Sequence, residues 1–351
     1  MKKRICIVAD VPNWAFDRIA QQLKKDLSYK YDITIDYFDR RKEADCFFEL
    51  VERVKENDLI HFLNRRMLLL MNTLVFKNKV EASGSSLEDY ISVISNKFST
   101  AVYDYMDIDE AGIKEQKVIF NDYTKAYYTA TKKLFEIYNS IDMFKKPAMM
   151  VHDICDGEMF KPNNLERFLP ENINNRPLVI GWVGNSTHSG EDKVDLKGLR
   201  TIIKPAIEEL KELGYNIIEH YADRNERWRT SEEMQIYYSE IDICLCASLH
   251  EGTPRSVLES MYSGVPYVST DVGIVREALG KQGCEYILGD RDNGKNDIQI
   301  KELLKEKIIH LYNNRHILKE LSDENMKSIV DFDGGKTIKD FDEFFSLCLN
   351  S

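Results

Sequence analysis

Residues 249–279 read LHEGTPRSVLESMYSGVPYVSTDVGIVREAL, and their pattern decides the fold. Just upstream, 241–247 is an apolar run of strand length and composition, which the loop Glu251-Gly252-Thr253-Pro254 breaks. Val257, Leu258 and Met261 then recur at helical spacing through 256–262. Gly264 occupies the position where a helix end takes positive φ, and Pro266 follows it. A short buried strand begins over 265–268, and Asp271-Val272-Gly273 closes it. Such a β-α-β unit builds a parallel sheet, whose ligands bind at the carboxyl ends of the strands.

The chemistry lies in the placement of two acids. Glu251 lies in the loop at the strand end, and Glu259 lies eight residues on, in the following helix. The helix starts near Arg255, so its free N–H groups and positive end face the loop. That end suits an anion such as a diphosphate. A carboxylate on either side suits a ligand with hydroxyls at both ends, as a nucleotide sugar has. The competing reading is an ordinary α/β loop with two solvated acids.

The stretch closely resembles the donor-binding segment of glycosyltransferase family 4, whose members have the two-domain GT-B fold. The residues that carry the resemblance are Glu251, Gly252, Glu259, Gly264, Pro266, Thr270, Asp271, Gly273 and Glu277. The resemblance implies that Glu259 binds ribose hydroxyls, that Glu251 binds the donor hexose, and that backbone amides around Thr253, Pro254, Arg255 and Ser256 meet the phosphates. A spaced acid pair alone carries little weight in a chain this rich in Glu. The combined string over some thirty residues is specific.

Composition narrows the class. Of 351 residues, 43% are hydrophobic and 30% charged, enough for real cores in a soluble globular chain. The length allows two or three domains. The net charge of −11 is unevenly spread: residues 1–150 hold 24 Lys/Arg against 23 Asp/Glu, and residues 151–351 hold 24 against 36. An acidic balance argues against nonspecific nucleic-acid binding. The seven cysteines are odd in number and scattered, so reduced thiols are expected, with Cys244 and Cys246 buried on one face of a strand. No secretory signal is visible at Met1-Lys2-Lys3-Arg4, and nothing reaches the length of a membrane span. A cytoplasmic chain is therefore expected.

The amino-terminal part opens with a buried strand over 4–10 (RICIVAD), a loop, and a helix over 18–27. The loop Asp10-Val11-Pro12-Asn13-Trp14-Ala15-Phe16-Asp17 has no glycine, so it is no dinucleotide fingerprint. It also departs from family 4, many of whose members have glycines there. Trp14 and Phe16 either wall an acceptor site or pack the loop. Strands follow at 31–38 and 58–62. The apolar run 67–76 (MLLLMNTLVF), flanked by Arg65, Arg66, Lys77 and Lys79, reads either as a buried helix or as a membrane-surface helix at the inner face. A fourth strand covers 99–105. The family commonly has a His at its end; here Tyr103, Asp104 and Tyr105 stand in that region, so Tyr105 is an acceptor-site candidate and the missing His a departure. A D-x-D spelling occurs at Asp107, Asp290, Asp331 and Asp340, too often to mark a metal site. A helix is expected over 123–138, apolar at Tyr127, Leu134 and Ile137, and a last strand over 148–151.

Residues 156–162 (DGEMFKP) resemble the turn that family 4 carries before its interdomain crossing, and the polar segment 164–176 reads as a linker. The second domain opens on a strand over 178–183 (LVIGWV), with Asn185 and Ser186 after it. The family has an Arg there and a Lys before a later Gly, both on the donor diphosphate. Lys197 matches the Lys; Asn185 replaces the Arg, leaving Lys193, Arg224 or Arg255 as a second cation. A strand over 215–220, a helix over 232–238 with Thr230 and Ser231 as base neighbours, and helices over 298–312, 317–329 and 338–349 complete the chain.

The expected architecture is α/β, GT-B: two Rossmann-like domains facing across a cleft, with 1–163 binding the acceptor, 164–176 linking, and 177–330 binding the donor. The resemblance implies that helix 338–349 packs back on the first domain. It further implies a retaining glycosyltransferase of hexosyl type, moving sugar from a nucleoside-diphosphate sugar to a glycan or lipid-linked acceptor in bacterial-type surface polysaccharide synthesis, with no cofactor or metal. Glu251 and Lys197 are the catalytic candidates. Gly252, Thr253, Pro254, Arg255, Ser256, Glu259, Asn185 and Ser186 are donor-binding candidates. A GT-B epimerase or phosphorylase, a catalytically silent nucleotide-sugar-binding subunit, and an enzyme whose partner supplies the acceptor site remain alternatives.

Overall fold

A computed structural model describes every residue except 40–43, 188–193 and 292–293, together with the side chains of 44 and 45. The chain forms two compact units, Met1–Ile154 with Gly335–Ser351, and Cys155–Gly334.

The first unit is built on a six-stranded parallel sheet: β1 (Arg4–Ala9), β2 (Asp32–Tyr37), β3 (Leu59–Phe62), β4 (Phe98–Val102), β5 (Ala126–Thr129) and β6 (Met149–Met150). Their order is β2-β1-β3-β4-β5-β6, so the winding reverses between β1 and β3. Strand alternation sends Ile5 and Ile7 to one face and Cys6 and Val8 to the other, each into its own core. Burial on both faces explains why β1 after Arg4, β3, β4 and β5 carry no charged residue; the polar Ser99, Thr100 and Thr129 among them are buried too. The helices are α1 (Ala15–Leu27), α2 (Ala44–Val54), α3 (Leu74–Ala82), α4 (Leu87–Ser95), α5 (Glu110–Val118) and α6 (Lys132–Ser140).

Two sequence readings for this unit are revised, and one helix appears that the sequence reading did not include. The helix expected over 123–138 contains β5 instead. Ala126-Tyr127-Tyr128-Thr129 pairs with β4 and is buried on both faces, so the helix begins only at Lys132. The unexpected helix α5 is capped by Asp109, which accepts from the Gly112 N–H at 2.8 Å; one D-x-D is thus a helix start. The apolar run 67–76 is a 3₁₀ segment, Arg65–Asn72, leading into α3. Met67, Leu68, Met71 and Phe76 are core residues, and Arg65 is itself buried. Arg65 and Arg66 both bond Asp104, which takes up these two cations of the basic flank, while Lys79 stays exposed. Burial works to raise the Asp104 carboxyl, and the two arginines outweigh it, holding it well below the usual carboxylate range. Among the described residues no helix is long and apolar enough to cross a membrane.

The second unit carries a four-stranded parallel sheet in the order β10-β9-β7-β8. Its strands are β7 (Leu178–Gly184), β8 (Ile217–Asp223), β9 (Ile243–Cys246) and β10 (Tyr267–Ser269). The winding reverses between β7 and β9. Segment 164–176, read as a linker, is made of a 3₁₀ turn at Leu165–Phe168 and α7 (Pro170–Ile173), and Phe168 and Ile173 are fully buried in this unit's core. α8 (Lys204–Glu212) continues a π turn at Leu199–Ile203. α9 (Ser231–Glu240), α10 (Arg255–Tyr262), α11 (Val275–Ala278), α12 (Asp297–Asn313) and α13 (His316–Ser328) follow. Cys244 and Cys246 face one core side by side as free thiols. α14 (Gly334–Asn350) brings Phe341, Phe344, Phe345 and Cys348 into the first unit's core against Ile5, Leu59 and Tyr128.

Candidate functional site

The switch point of the second sheet lies between β7 and β9, where open α/β sheets bind ligands. The loops after these two strands carry most of the candidates. β9 ends at Cys246, and the chain then turns through Ser248 and Glu251 to α10. Thr270, after the neighbouring strand β10, ties this turn down: its N–H donates to the Cys246 carbonyl at 3.0 Å and its Oγ1 to the Ser248 carbonyl at 2.8 Å.

The Lys197 loop is stitched to the same turn. Leu249 N–H donates to the Leu196 carbonyl at 2.8 Å. Gly198 takes φ +68° and passes so close that a Cβ there would lie 2.3 Å from the Ala247 carbonyl oxygen. Asp195 is buried and accepts from the N–H groups of Gly198, Arg200 and Thr201, which starts the π turn. Arg291, also buried, donates from one Nη1 to the carbonyls of both Asp195 and Ala247 while pairing with Asp297. These contacts bring Lys197 Nζ to 2.5 Å from Glu251 Oε1, which Ser248 Oγ also reaches at 2.8 Å. Burial works to lower the Lys197 pKa; the Glu251 carboxylate outweighs it, and the ammonium ends above its ordinary value.

Around α10 the structure sorts the candidates by atom. Pro254 sits at the N-cap and no side chain among the described residues caps the helix. The N–H groups of Arg255 and Ser256 therefore open the helix with no intrahelical acceptor before them. Pro254 has no N–H to give. Ser256 turns its hydroxyl inward to the Tyr267 OH at 2.7 Å, which leaves only its amide for a ligand. Thr253 Oγ1 is a buried atom with no hydrogen-bond partner among the described residues. The Gly252 carbonyl accepts from Ile274 N–H at 3.1 Å, and Gly273 at φ +50° approaches it so closely that only a glycine fits. Glu259 is 5% exposed. Its Oε2 accepts from the buried Tyr238 OH at 2.9 Å, and its Oε1 faces Arg255 Nε at 3.4 Å.

At the β7 end, Asp223 holds the loop by accepting from the N–H groups of Ser186 at 3.2 Å and Asn225 at 3.0 Å. Asn185 Oδ1 accepts from Thr187. Of the candidate second cations, Arg255 faces Glu259, Arg224 is exposed with its N–H on the Gly184 carbonyl, and Lys193 lies outside the described residues. Glu251 and Lys197 are therefore brought into contact, while Asn185 and Ser186 occupy the neighbouring loop. Thr230, read as a base neighbour, caps α9 through its side chain, in a reciprocal box with Glu233.

In the first unit, Trp14 is exposed at the start of α1, and Phe16 packs its ring on Tyr103 at 5.1 Å between centroids. Tyr105 is a core residue, 6% exposed, with Lys133 Nζ over its ring; as placed it packs the unit rather than lining an open wall. Among the described residues no group of three or more His, Cys, Asp or Glu is placed to hold a metal ion.

Sequence reading missed Tyr238, Asp195, Asp223, Ser248 and Arg291. The last is signalled in the sequence only by an Arg inside an acidic loop.

Two parallel, Rossmann-like units, the second with its loops gathered at a switch point, define the GT-B fold, and solved structures of that class match along nearly the whole chain. Residues 204–312 match the family model described as glycosyl transferases group 1. Sucrose-phosphate synthase from Thermosynechococcus elongatus is similar at 12% identity and a TM-score of 0.64, over 99% of each chain. Anabaena HepE in complex with UDP and glucose is similar at 12% identity and 0.64, over 97% of this chain and 99% of that one. The catalytic domain of starch synthase IV from Arabidopsis thaliana, bound to ADP and acarbose, is similar at 10% identity and 0.65, over 100% of both. No curated protein matches this chain significantly.

Proposed function

We propose that this chain is a glycosyltransferase that moves a sugar, of hexose type, from a nucleoside-diphosphate sugar to a glycan or lipid-linked acceptor, with retention of configuration. The observation that carries the reading is the meeting of Lys197 with Glu251 beside the start of α10, which no side chain among the described residues caps and which has Glu259 on its buried face. Structures similar to this fold hold UDP with glucose, and ADP with acarbose.

Departure of a nucleoside diphosphate builds negative charge on the leaving oxygens, and preorganised donors lower that barrier. Lys197 and the first amides of α10 supply those donors. Glu251 fixes the sugar hydroxyls, Glu259 holds the ribose, and the geometry orients the reacting centre. The first unit binds the acceptor, with Trp14 on its rim. The reading takes no metal or cofactor, because side chains and amides meet the leaving-group charge. Synthesis of bacterial-type surface glycan on the cytoplasmic side is the biological setting it fits.

A thermal-shift screen against UDP, GDP, CMP, ADP and NAD, with and without magnesium, tests it, since a ligand bound to the folded state raises Tm. Stabilisation by one nucleoside diphosphate, independent of magnesium and lost in Glu259→Ala, is the expected result. Stabilisation by NAD alone, or by none, sinks the reading. A catalytically silent nucleotide-sugar-binding subunit is the second reading. It is favoured by Asn185, which gives its side-chain oxygen to Thr187 where the resembling family has a cation. Nucleotide binding without turnover on any acceptor would select it.

A further inference from the structure

Glu259 is nearly closed off from solvent, yet among the described residues it receives only one well-formed hydrogen bond. That bond comes from Tyr238, on α9, 21 residues upstream. Tyr238 is itself fully buried, its ring edge-on to Phe160 and Tyr237. Its backbone is also engaged, since Arg167 Nη2 donates to the Tyr238 carbonyl at 3.2 Å. The hydroxyl therefore approaches Glu259 from a frame that packing holds in place. The second oxygen, Oε1, has among the described residues only the long 3.4 Å approach of Arg255 Nε.

We infer that Tyr238 is the positioning residue of the ribose site: it clamps Oε2 of Glu259, sets the carboxylate plane, and leaves Oε1 turned to accept from a vicinal diol. This inference rests on the donor-site reading above. Two physical points support it. A carboxylate offers about four acceptor directions, and fixing one oxygen by a buried donor selects which of the others face the ligand. Burial, then the neighbouring Glu259 charge, push the Tyr238 phenol well above its usual pKa, so the group stays a donor and keeps this direction at any working pH. A carboxylate held this way accepts only, so the site requires a ligand group that donates. A ribose diol does so and a 2′,3′-dideoxyribose cannot. Tyr238 thereby acts on the sugar part of the nucleotide and not on its base or phosphates.

The test is calorimetric titration of the full chain and of Tyr238→Phe and Glu259→Ala. The probes are UDP, GDP, ADP and CDP, and the 2′,3′-dideoxy form of whichever binds. The phenylalanine ring keeps the packing, and the dideoxy ligand serves as the internal control. The expected result is a loss of about tenfold in affinity for the ribonucleotide in Tyr238→Phe, with less than a twofold change for the dideoxy form. Equal losses for both ligands would show that Tyr238 only packs the unit, and an unchanged ribonucleotide affinity would overturn the inference outright. A loss in Glu259→Ala without one in Tyr238→Phe overturns the positioning role alone. No loss in Glu259→Ala, or no binding by any of the four nucleotides, overturns the ribose assignment and this inference with it.

Discussion

Lys197 Nζ lies 2.5 Å from Glu251 Oε1, although 54 residues of chain separate them. Each gives the other a counter-charge. A donor that takes the ammonium by its phosphates and the carboxylate by its sugar hydroxyls would exchange one partnership for two. Replacing either residue alone leaves the other half-buried without its counter-charge, so the two effects should not add. Lys197→Met and Glu251→Gln should show a coupling of about 0.5–3 kcal/mol in urea unfolding. Lys197→Met should also lower kcat about 10²- to 10³-fold, as loss of a leaving-group donor does. Additive stabilities, or a kcat within threefold of wild type, would remove the pair from the mechanism. The Lys197 pKa is raised, so its contribution is fully present below the ordinary lysine value and is lost only as pH rises through the raised one.

Gly198 is the hinge of that contact. A methyl group at this position meets the Ala247 carbonyl, and the left-handed backbone adds strain. Gly198→Ala should destabilise by about 1–3 kcal/mol and weaken nucleotide binding. Gly214 has positive φ but open space around it, so Gly214→Ala should carry strain without loss of binding. Equal nucleotide affinities in the two variants would contradict this account of the loop.

Arg291 joins two loops by two carbonyls and one carboxylate. Arg291→Gln should cost about 1–3 kcal/mol, because it strands the buried Asp195 and Ala247 acceptors. It should also reduce turnover through a misplaced Lys197, although Arg291 bonds only protein groups. Chemical denaturation together with steady-state kinetics checks both; a stability loss with intact kinetics would confine Arg291 to the fold.

His61 in β3 is fully buried between Tyr128, Phe344 and Phe345, with Nδ1 3.0 Å from Ser99 Oγ. Burial pushes its pKa down to about 3. The unfolded chain takes up this proton near 6.5 and the folded chain only near 3. Stability is therefore complete above pH 6.5 and falls as pH drops through that window, by up to about 1.4 kcal/mol per pH unit. His61→Phe should flatten this part of the pH–stability curve in urea titrations between pH 7 and 4. An unchanged slope would assign the acid limb to other groups.

α14 fills the first unit's core with Phe341, Phe344 and Phe345, and Lys30 and Tyr31 both bond Asp342. Each buried Phe is worth about 1.5–3 kcal/mol. A chain ending before Gly334 should consequently be insoluble or molten. Recovery of a cooperatively unfolding truncated chain would show that the sheet closes without this helix.

The parallel-sheet fold was legible wherever one local signal set the structure. The β1 run, the β9-loop-α10 unit and Gly264, which adopts φ +71°, each follow from composition and spacing within one element. The stretch 123–138 was not legible. Tyr127 belongs to a strand because β4 pairs with it and both sheet faces are covered, which the residue alone does not reveal. Likewise the run 67–76 shows apolar periodicity and basic flanks, but only the Asp104 carboxylate, contributed by the β4 end, explains where Arg65 and Arg66 go.

For the site, the sequence by itself determined the residue types and the local geometry: an acid in a loop, an acid in the helix that follows, and a helix start near Arg255. Hydrogen bonding and φ preference act over a few residues, so a string of thirty carries them. The tertiary structure decided which of those residues meet. Lys197 reaches Glu251 because Gly198, Asp195 and Arg291 stitch one loop to another, and Glu259 is held by a tyrosine from a different helix. Ser256 lost its hydroxyl to Tyr267 by the same kind of contact. Such pairings depend on how strands order in the sheet, and close packing between elements distant in sequence sets them.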